Sequence, residues 1–129
     1  MSKNPSHLAA GREQGLGSAR EGVGHWWMQR MTAVALIPLT LWLAASLVQH
    51  AGDDYVTLAL WLRRPLVSVL IVLLLIALFY HMALGLQVVI EDYVHVERVK
   101  VPTVALVNLV SFAFAVAGIV ATLKFAFAG

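Results

Sequence analysis

Three long apolar runs, separated by short polar segments, dominate the sequence. The runs cover residues 31–48, 66–90 and 101–123. A helix that rises about 1.5 Å per residue needs about 20 residues to cross a hydrocarbon core of about 30 Å. The second and third runs exceed that length, and Trp26, Trp27 and Met28 extend the first run into the interface. The pattern therefore predicts three transmembrane helices. Their expected spans are about residues 27–49, 66–90 and 102–127.

The composition favours a membrane protein over a soluble domain. Of the 129 residues, 60% are hydrophobic and only 12% are charged, and the mean hydropathy is +0.82. A soluble domain rarely carries so few charges. We therefore expect an all-α fold, a bundle of three transmembrane helices in the lipid bilayer. The net charge of +2 is too small to indicate a nucleic-acid partner, and the absence of cysteine excludes disulfides and thiolate metal ligands.

Basic residues are shared unequally between the two sides of the predicted bundle. Six lie on the side of the N-terminus and of the connection between the second and third helices, and three lie on the other side. The six are Lys3, Arg12, Arg20, Arg30, Arg98 and Lys100, and the three are Arg63, Arg64 and Lys124. Because cytoplasmic flanks carry an excess of Lys and Arg, we expect the N-terminus in the cytoplasm and the C-terminus on the opposite side.

The chain divides into a polar N-terminal stretch and a membrane domain. Residues 1–22 are polar and rich in glycine, so we expect a flexible cytoplasmic segment that cannot bury enough apolar surface to order itself. The anchor domain is then residues 23–129, with a retained first span rather than a cleaved signal peptide. Pro65 and Pro102 are expected to open the second and third helices, where a missing N–H costs nothing. Residues 55–62 form a short apolar stretch expected in the interface.

One histidine interrupts the second apolar run. His81 lies about 15 residues into the predicted helix, past the membrane midplane, in a run without Asp, Glu, Lys or Arg. An ionisable side chain in hydrocarbon is costly to insert and usually marks a site. One interpretation is a neutral histidine bonded to a Ser, Thr or carbonyl of a neighbouring helix. The other is an axial ligand of haem iron. Because no other histidine lies so deep, a bis-histidine haem would take its second ligand from another chain.

Three further residues on the same helix extend this candidate site. Gly85 lies one turn beyond His81 on almost the same face, where the missing side chain leaves room for a large flat ligand. Asp92 comes 11 residues after His81, three turns along, and so returns to that face at the cytoplasmic end. Tyr93 projects about 100° round from Asp92. Its phenol could bond a quinone carbonyl, with Asp92 helping to deliver protons, or it could simply anchor the helix at the interface.

Other polar residues near the membrane edge are open to two interpretations. Arg30 either snorkels toward lipid headgroups or pairs with an anionic group, such as a haem propionate, or with a quinone site. His25 precedes two tryptophans typical of an aromatic belt, and His50 and His95 are predicted to lie in loops, so all three are weaker ligand candidates.

Small residues recur on the third helix. Ala113, Ala117 and Ala121 are four residues apart and so line one face. Such a face lets another helix approach closely. That helix could belong to this chain or to another subunit, and neither interpretation implies chemistry.

Two segments of the chain resemble a known family. Residues 25–33, HWWMQRMTA, and residues 81–93, HMALGLQVVIEDY, are similar to the hydrophobic membrane-anchor subunit of succinate dehydrogenase, respiratory complex II. The likeness is to the smaller, D-type anchor of the alphaproteobacterial and mitochondrial form. It covers roughly residues 22–127. Its specificity lies in the Arg-x-Thr-Ala motif of the first helix together with the spacing of His, Asp and Tyr on the second.

The resemblance implies a role for each candidate residue. His81 matches the haem b ligand of the family, and so the ligand of its iron, with the second axial histidine on a cytochrome b-type anchor subunit. Tyr93 matches the tyrosine that contacts the ubiquinone head group, and Asp92 matches the acidic position beside it. Arg30 matches an arginine near the haem and quinone region. The implied function is the membrane anchor of succinate:ubiquinone oxidoreductase, which catalyses nothing alone.

The same resemblance implies partners and a location. The anchor would tether a flavoprotein subunit and an iron–sulfur subunit to the bacterial cytoplasmic (inner) membrane, as a multi-pass chain. Two alternatives remain open, namely a structural or assembly anchor without a cofactor, and the anchor of a quinol:fumarate reductase. A small transporter would need several polar groups at the midplane, and the sequence offers almost none.

Overall fold

The computed structural model describes residues 5–128, with the side chains of residues 22–128, and it is helical along almost all of that length. No strand occurs among these residues. In chain order the helices are α1, Pro5–Gln49; α2, Tyr55–Leu62; α3, Pro65–Tyr93; and α4, Glu97–Phe127. Three segments are long and apolar enough to cross a membrane. They are Gly22–Gln49, Pro65–Tyr93 and Glu97–Phe127. The predicted all-α fold with three membrane spans is confirmed, and the orientation of the termini stays a prediction.

The long helix α3 is the centre of the arrangement. It packs against α1 on one side and α4 on another, whereas no Cα atoms of α1 and α4 come within 8 Å of each other in the described part of the chain. Few side chains are buried, and those of α3 include Leu74, Ala77 and Leu84. Most large apolar side chains point outward, as expected where the surroundings are as apolar as the side chains themselves.

A glycine sets the distance between α3 and α4. A Cβ atom added at Gly118 would lie 3.0 Å from one terminal methyl group of Leu75 and 3.2 Å from the other. One helical turn earlier, the rings of Phe114 and Phe79 stack with their centroids 6.2 Å apart. The predicted small-residue face lies elsewhere on the helix, because Ala113, Ala117 and Ala121 are all exposed. That face is therefore not used for packing within this chain.

Side-chain contacts hold together the end of the bundle that contains α2. We call this part of the molecule the α2 end (residues 42–68). The carboxylate of Asp54 accepts a hydrogen bond from the backbone N–H of Thr57 at 3.0 Å and so caps α2. Trp61 stacks on Trp42 of α1, with centroids 6.0 Å apart. Pro65 opens α3, as predicted. The short apolar stretch predicted here is therefore a helix that packs onto α3 and α4.

The start of α4 differs from the prediction. Pro102 does not open the helix but lies inside it, because α4 already begins at Glu97. The charged residues before Pro102 were expected to form a loop, yet they occupy the first turn of α4. The N–H groups of a first turn have no partner within the helix, so this turn is compatible with polar surroundings. Only residues 94–96 connect α3 to α4. A proline this near the N-terminus removes a single backbone hydrogen bond, which the helix tolerates.

The N-terminal stretch extends the first helix. The backbone of residues 5–21 continues α1, whereas residues 1–4, and the side chains of residues 1–21, lie outside the described set. The flexible segment predicted over residues 1–22 falls largely on these residues. Its flexibility stays a prediction.

Candidate functional site

A hydrogen bond between α1 and α3 lies at the predicted ligand. Nδ1 of His81 is 3.1 Å from Oγ1 of Thr32. Thr32 is only 8% exposed, and its hydroxyl also lies 2.6 Å from the carbonyl oxygen of Met28, one turn back on α1. The contact joins residues 49 positions apart and fixes the register of the two helices at this depth.

The other ring nitrogen of His81 is not engaged. The imidazole is half-buried, and among the described residues Nε2 has no hydrogen-bond partner, since the one contact of the ring is through Nδ1. The bond to a threonine of a neighbouring helix, expected from the first interpretation, is therefore present. It does not compete with the second interpretation, because a histidine ligand commonly binds a metal through one nitrogen and hydrogen-bonds through the other.

Gly85 lies against α1 rather than against open space. A Cβ atom added there would be 3.9 Å from Nε2 of Gln29, an ordinary van der Waals contact. The packing of these two helices therefore does not require a glycine. The side-chain oxygen of Gln29 is buried and has no hydrogen-bond partner among the described residues. Sequence reasoning did not single out Gln29, although its position three residues before Thr32 places both on one helical face.

A polar cleft opens between α1 and α3 beyond this contact. It has a volume of about 600 Å³, and its polar lining comes from His25, Gln29 and Arg30 of α1 and from Gln87 and Glu91 of α3. Nε2 of Gln87 donates a hydrogen bond of 2.9 Å to Glu91. The cleft therefore offers amide groups and charges of both signs to a polar ligand.

The predicted arginine is positioned at this cleft. The guanidinium carbon of Arg30 lies 5.1 Å from the ring centroid of Trp26, within the range of a cation–π contact. The stacking limits the freedom of a long side chain that is otherwise exposed. Arg30 thus faces a cleft that it shares with Glu91, a residue that sequence reasoning did not select as part of the site.

The two residues predicted at the quinone lie at the very end of α3. Tyr93 is the last residue of the helix and is 79% exposed, and Asp92 is exposed beside it. Neither lines the cleft that contains Arg30. Within the described part of the chain neither side chain has a hydrogen-bond or ion-pair partner, so the phenol and the carboxylate face outward. Since α3 is continuous, they are about 17 Å along the axis from His81.

The remaining histidines differ in their surroundings. His50 pairs with Asp53, and its ring centroid lies 4.6 Å from that of Trp61. His95 is exposed in the connection between α3 and α4. His25 lines the polar cleft and also a second groove of about 430 Å³ between α3 and α4, whose walls are mainly apolar. None of the three resembles His81 in combining a fixed ring with a free nitrogen at membrane depth.

The donor set decides which metal group the site fits. Among the described side chains no three His, Asp or Glu residues come together in a way that could hold a metal ion. A bare ion would lack ligands at His81. Haem iron takes its equatorial ligands from the porphyrin and needs only one axial imidazole from this chain. Thr32 holds that imidazole with Nε2 free, so the residues fit a haem better than an ion.

Fold and site together define a class, that of small integral membrane subunits with three membrane-spanning helices and one potential metal ligand at membrane depth. A family model described as succinate dehydrogenase/fumarate reductase transmembrane subunit matches residues 5–122. The chain therefore belongs to this family, as a membrane-anchor subunit of succinate dehydrogenase that is not catalytic alone. With three apolar helices and bacterial relatives, it is a multi-pass protein of the bacterial inner membrane.

Individual relatives support the same assignment. The chain is 38% identical over 106 residues to the succinate dehydrogenase hydrophobic membrane anchor subunit of Rickettsia bellii, covering 81% of this chain and 84% of that protein. It is 30% identical over 95 residues to the succinate dehydrogenase membrane anchor subunit of Reclinomonas americana, with coverages of 71% and 79%. The anchor subunit of Paracoccus denitrificans is 32% identical over 80 residues, or 62% of each chain. No solved structure matches the chain.

Proposed function

We propose that this anchor supplies one axial ligand to haem b and part of a ubiquinone site. The flavoprotein and iron–sulfur subunits dock on its cytoplasmic side, and a cytochrome b-type anchor subunit packs beside it and provides the second axial histidine. The observation that carries the proposal is His81, alone among uncharged residues, with Nδ1 bonded to Thr32 and Nε2 free.

The haem-binding role rests on three residues of this chain. His81 would hold the iron of haem b through Nε2, and the bound haem would supply one-electron transfer. Gly85, one turn toward the cytoplasm, has no side chain beside the imidazole, and it would leave room for the haem there with only Gln29 of α1 nearby. Arg30 lines the polar cleft and stacks on Trp26. It would neutralise an anionic propionate of the haem, because its planar guanidinium group matches a carboxylate.

The quinone role rests on the end of α3. In the assembled complex, succinate would lose two electrons and two protons on the flavoprotein. The iron–sulfur subunit would carry the electrons to ubiquinone, which would take up two electrons and two protons. Tyr93 donates a hydrogen bond to a quinone carbonyl and so stabilises the charge that develops on that oxygen. Asp92 is exposed to water and can pass protons toward the same oxygen. The rest of this site comes from partner subunits.

The distribution of basic residues supports one orientation of the chain in the membrane. The N-terminus and the connection between α3 and α4 face the cytoplasm, since six basic residues flank the bundle on that side and three on the other. Tyr93 and Asp92 then lie at the cytoplasmic membrane edge, where an amphiphilic quinone can enter from the bilayer and protons can enter from the water.

A difference spectrum tests the haem assignment. The complex is captured through a tag on this chain, and the reduced-minus-oxidised visible spectrum is compared between the wild type, His81→Ala and His95→Ala. We expect a b-type signal in the wild type and in His95→Ala, whose histidine is exposed in the α3–α4 connection. The signal should be lost in His81→Ala while the flavoprotein still co-purifies.

Two outcomes would contradict the proposal. A wild-type complex that holds its partners but shows no b-type signal would indicate an anchor without a cofactor. A signal that survives in His81→Ala would place the ligand elsewhere. The direction of catalysis is a separate question, because a quinol:fumarate reductase shares this architecture, and the relatives named as succinate dehydrogenase subunits favour succinate oxidation.

A further inference from the structure

The hydroxyl group of Thr32 has only one proton to donate. Its oxygen lies 2.6 Å from the carbonyl oxygen of Met28 and 3.2 Å from that of Gln29. Both are pure acceptors, so the proton points toward the backbone of α1, where the shorter contact is. The same oxygen lies 3.1 Å from Nδ1 of His81. Since the hydroxyl proton is committed to α1, the oxygen must accept a hydrogen bond on this side, and Nδ1 must carry the donated proton.

This arrangement fixes the tautomer of the imidazole. A neutral histidine has one protonated nitrogen and one lone pair. With the proton held on Nδ1, the lone pair lies on Nε2, the nitrogen that is not engaged. The bond also sets the ring orientation, because it ties the imidazole to a threonine that is itself 8% exposed and bonded to its own helix.

We infer that Thr32 is a positioning residue for the axial ligand. It holds His81 in the tautomer that binds iron through Nε2, and it increases the electron donation of the imidazole by accepting the Nδ1–H hydrogen bond. The inference rests on the proposed haem role of His81. It adds that α1, which supplies no ligand, controls the strength of the axial bond and the reduction potential of the haem through one hydroxyl group.

The chain contains a matched control for this threonine. Thr40 also lies on α1, and its hydroxyl also bonds to a carbonyl four residues back, that of Leu36. It is exposed and reaches no other helix in the described structure. Replacing either threonine by valine removes a hydroxyl group and keeps the branched shape. Only the change at Thr32 removes an acceptor from His81.

The experiment compares four forms of the captured complex, namely the wild type, Thr32→Val, Thr32→Ser and Thr40→Val. Haem content and the midpoint potential of the b-type signal are measured by spectroscopic redox titration. In Thr32→Val we expect roughly a tenfold loss of haem affinity, the low end of the range for outer-shell partners of a metal ligand. The midpoint potential should rise, because a less electron-rich imidazole stabilises ferric iron less. Each tenfold change in the ratio of ferric to ferrous affinity is about 59 mV.

The other variants separate this role from simple packing. Thr32→Ser keeps the acceptor and should restore the wild-type potential, and Thr40→Val should not change it. Equal potentials in the wild type and Thr32→Val would overturn the inference while leaving His81 as the ligand. Equal shifts in Thr32→Val and Thr32→Ser, or in Thr40→Val, would also overturn it, since the hydroxyl would then not be the cause. A wild type without a b-type signal would overturn the haem role itself.

Discussion

The two ends of this bundle differ in how many of their polar groups have a partner within the chain. At the α2 end, Asp54 caps α2, His50 pairs with Asp53 and stacks near Trp61, and the hydroxyl of Ser68 donates to the carbonyl of Leu62 at 3.0 Å. Each of these groups finds its partner within the chain. The exposed side chains of Tyr55, Arg63 and Arg64 at this end have no hydrogen-bond or ion-pair partner among the described residues.

At the other end, polar groups remain available. Asp92 and Tyr93 have no partner among the described residues, the buried oxygen of Gln29 has no donor, and Arg30 shares an open cleft with Glu91. Buried polar atoms without partners are costly and call for an explanation. Among the described residues, the one buried side-chain atom without a partner is the oxygen of Gln29, and it lies at the end where the proposed cofactor, quinone and partner subunits meet the chain.

The largest effect is expected from removing a polar group at the end of the bundle opposite to the α2 end. Tyr93→Phe should lower quinone reduction about tenfold, which is the scale of one lost hydrogen bond, and should leave succinate oxidation by an artificial acceptor unchanged. Tyr55→Phe is the matched control, because Tyr55 is also exposed but is the first residue of α2, at the α2 end. Both activities are assayed on membranes. An equal loss of both activities in Tyr93→Phe would indicate faulty assembly and not a quinone contact.

Replacing two glycines by alanine distinguishes a role in helix packing from a role in ligand binding. Gly118→Ala places a methyl group 3.0 Å from Leu75 and should destabilise the complex by about 1 kcal/mol through overpacking. The added change Leu75→Ala should relieve that strain. Gly85→Ala meets only an ordinary contact at 3.9 Å, so thermal stability should hold while haem content falls. Thermal melting and haem content are measured on each variant. Unchanged haem in Gly85→Ala would show that this glycine is not needed by the ligand.

The smallest effect is expected from the titration of Asp54 at the α2 end. Hydrogen bonds from the side chain and then from the backbone of Thr57 hold the pKa of Asp54 below its ordinary value of 3.8. A carboxylate with a lowered pKa stabilises the fold above that ordinary value, and the contribution is lost as the pH falls through the folded value. The protection factor of the α2 amides, which is the exchange rate of an unstructured amide at that pH divided by the observed rate, should therefore fall at acid pH.

Replacement of Asp54 identifies the cause of that pH dependence. Asp54→Asn keeps a capping oxygen without a titrating group, so the protection factor should become insensitive to pH in this range. Asp54→Ala removes the cap and should quicken exchange at every pH. Haem content and quinone reduction should stay unchanged in both variants. A change in either would mean that the two ends are coupled.

The sequence predicted the spans well because apolar length is a direct requirement of the bilayer. The predicted start of α4 was wrong, because the charged segment of residues 97–100 followed by Pro102 is compatible with either a loop or the first turn of a helix. The sequence also did not predict the contact between Thr32 and His81. Helices that are apolar all round carry little information about which face meets which neighbour, so the register of α1 against α3 required the structure.

The sequence also left the small-residue face of α4 undecided. Ala113, Ala117 and Ala121 share one spacing with many helix contacts, yet all three are exposed. The residue that brings α3 and α4 together is Gly118, on another face. Composition alone could not separate the two, because a helix presents small residues in the same way to its own chain and to another.

The separation of α1 from α4 has a genetic consequence. In the part of the chain that the structure describes, the outer helices α1 and α4 do not pack on each other, and few side chains are buried, so the bundle has almost no interior of its own. Substitutions on the outward faces of α1 and α4 then have little to disturb within the chain, and selection acts on them only through the assembled complex. A harmful substitution there would leave a chain that inserts and folds normally, and a compensating change in the partner subunit that restores the fit would suppress its defect.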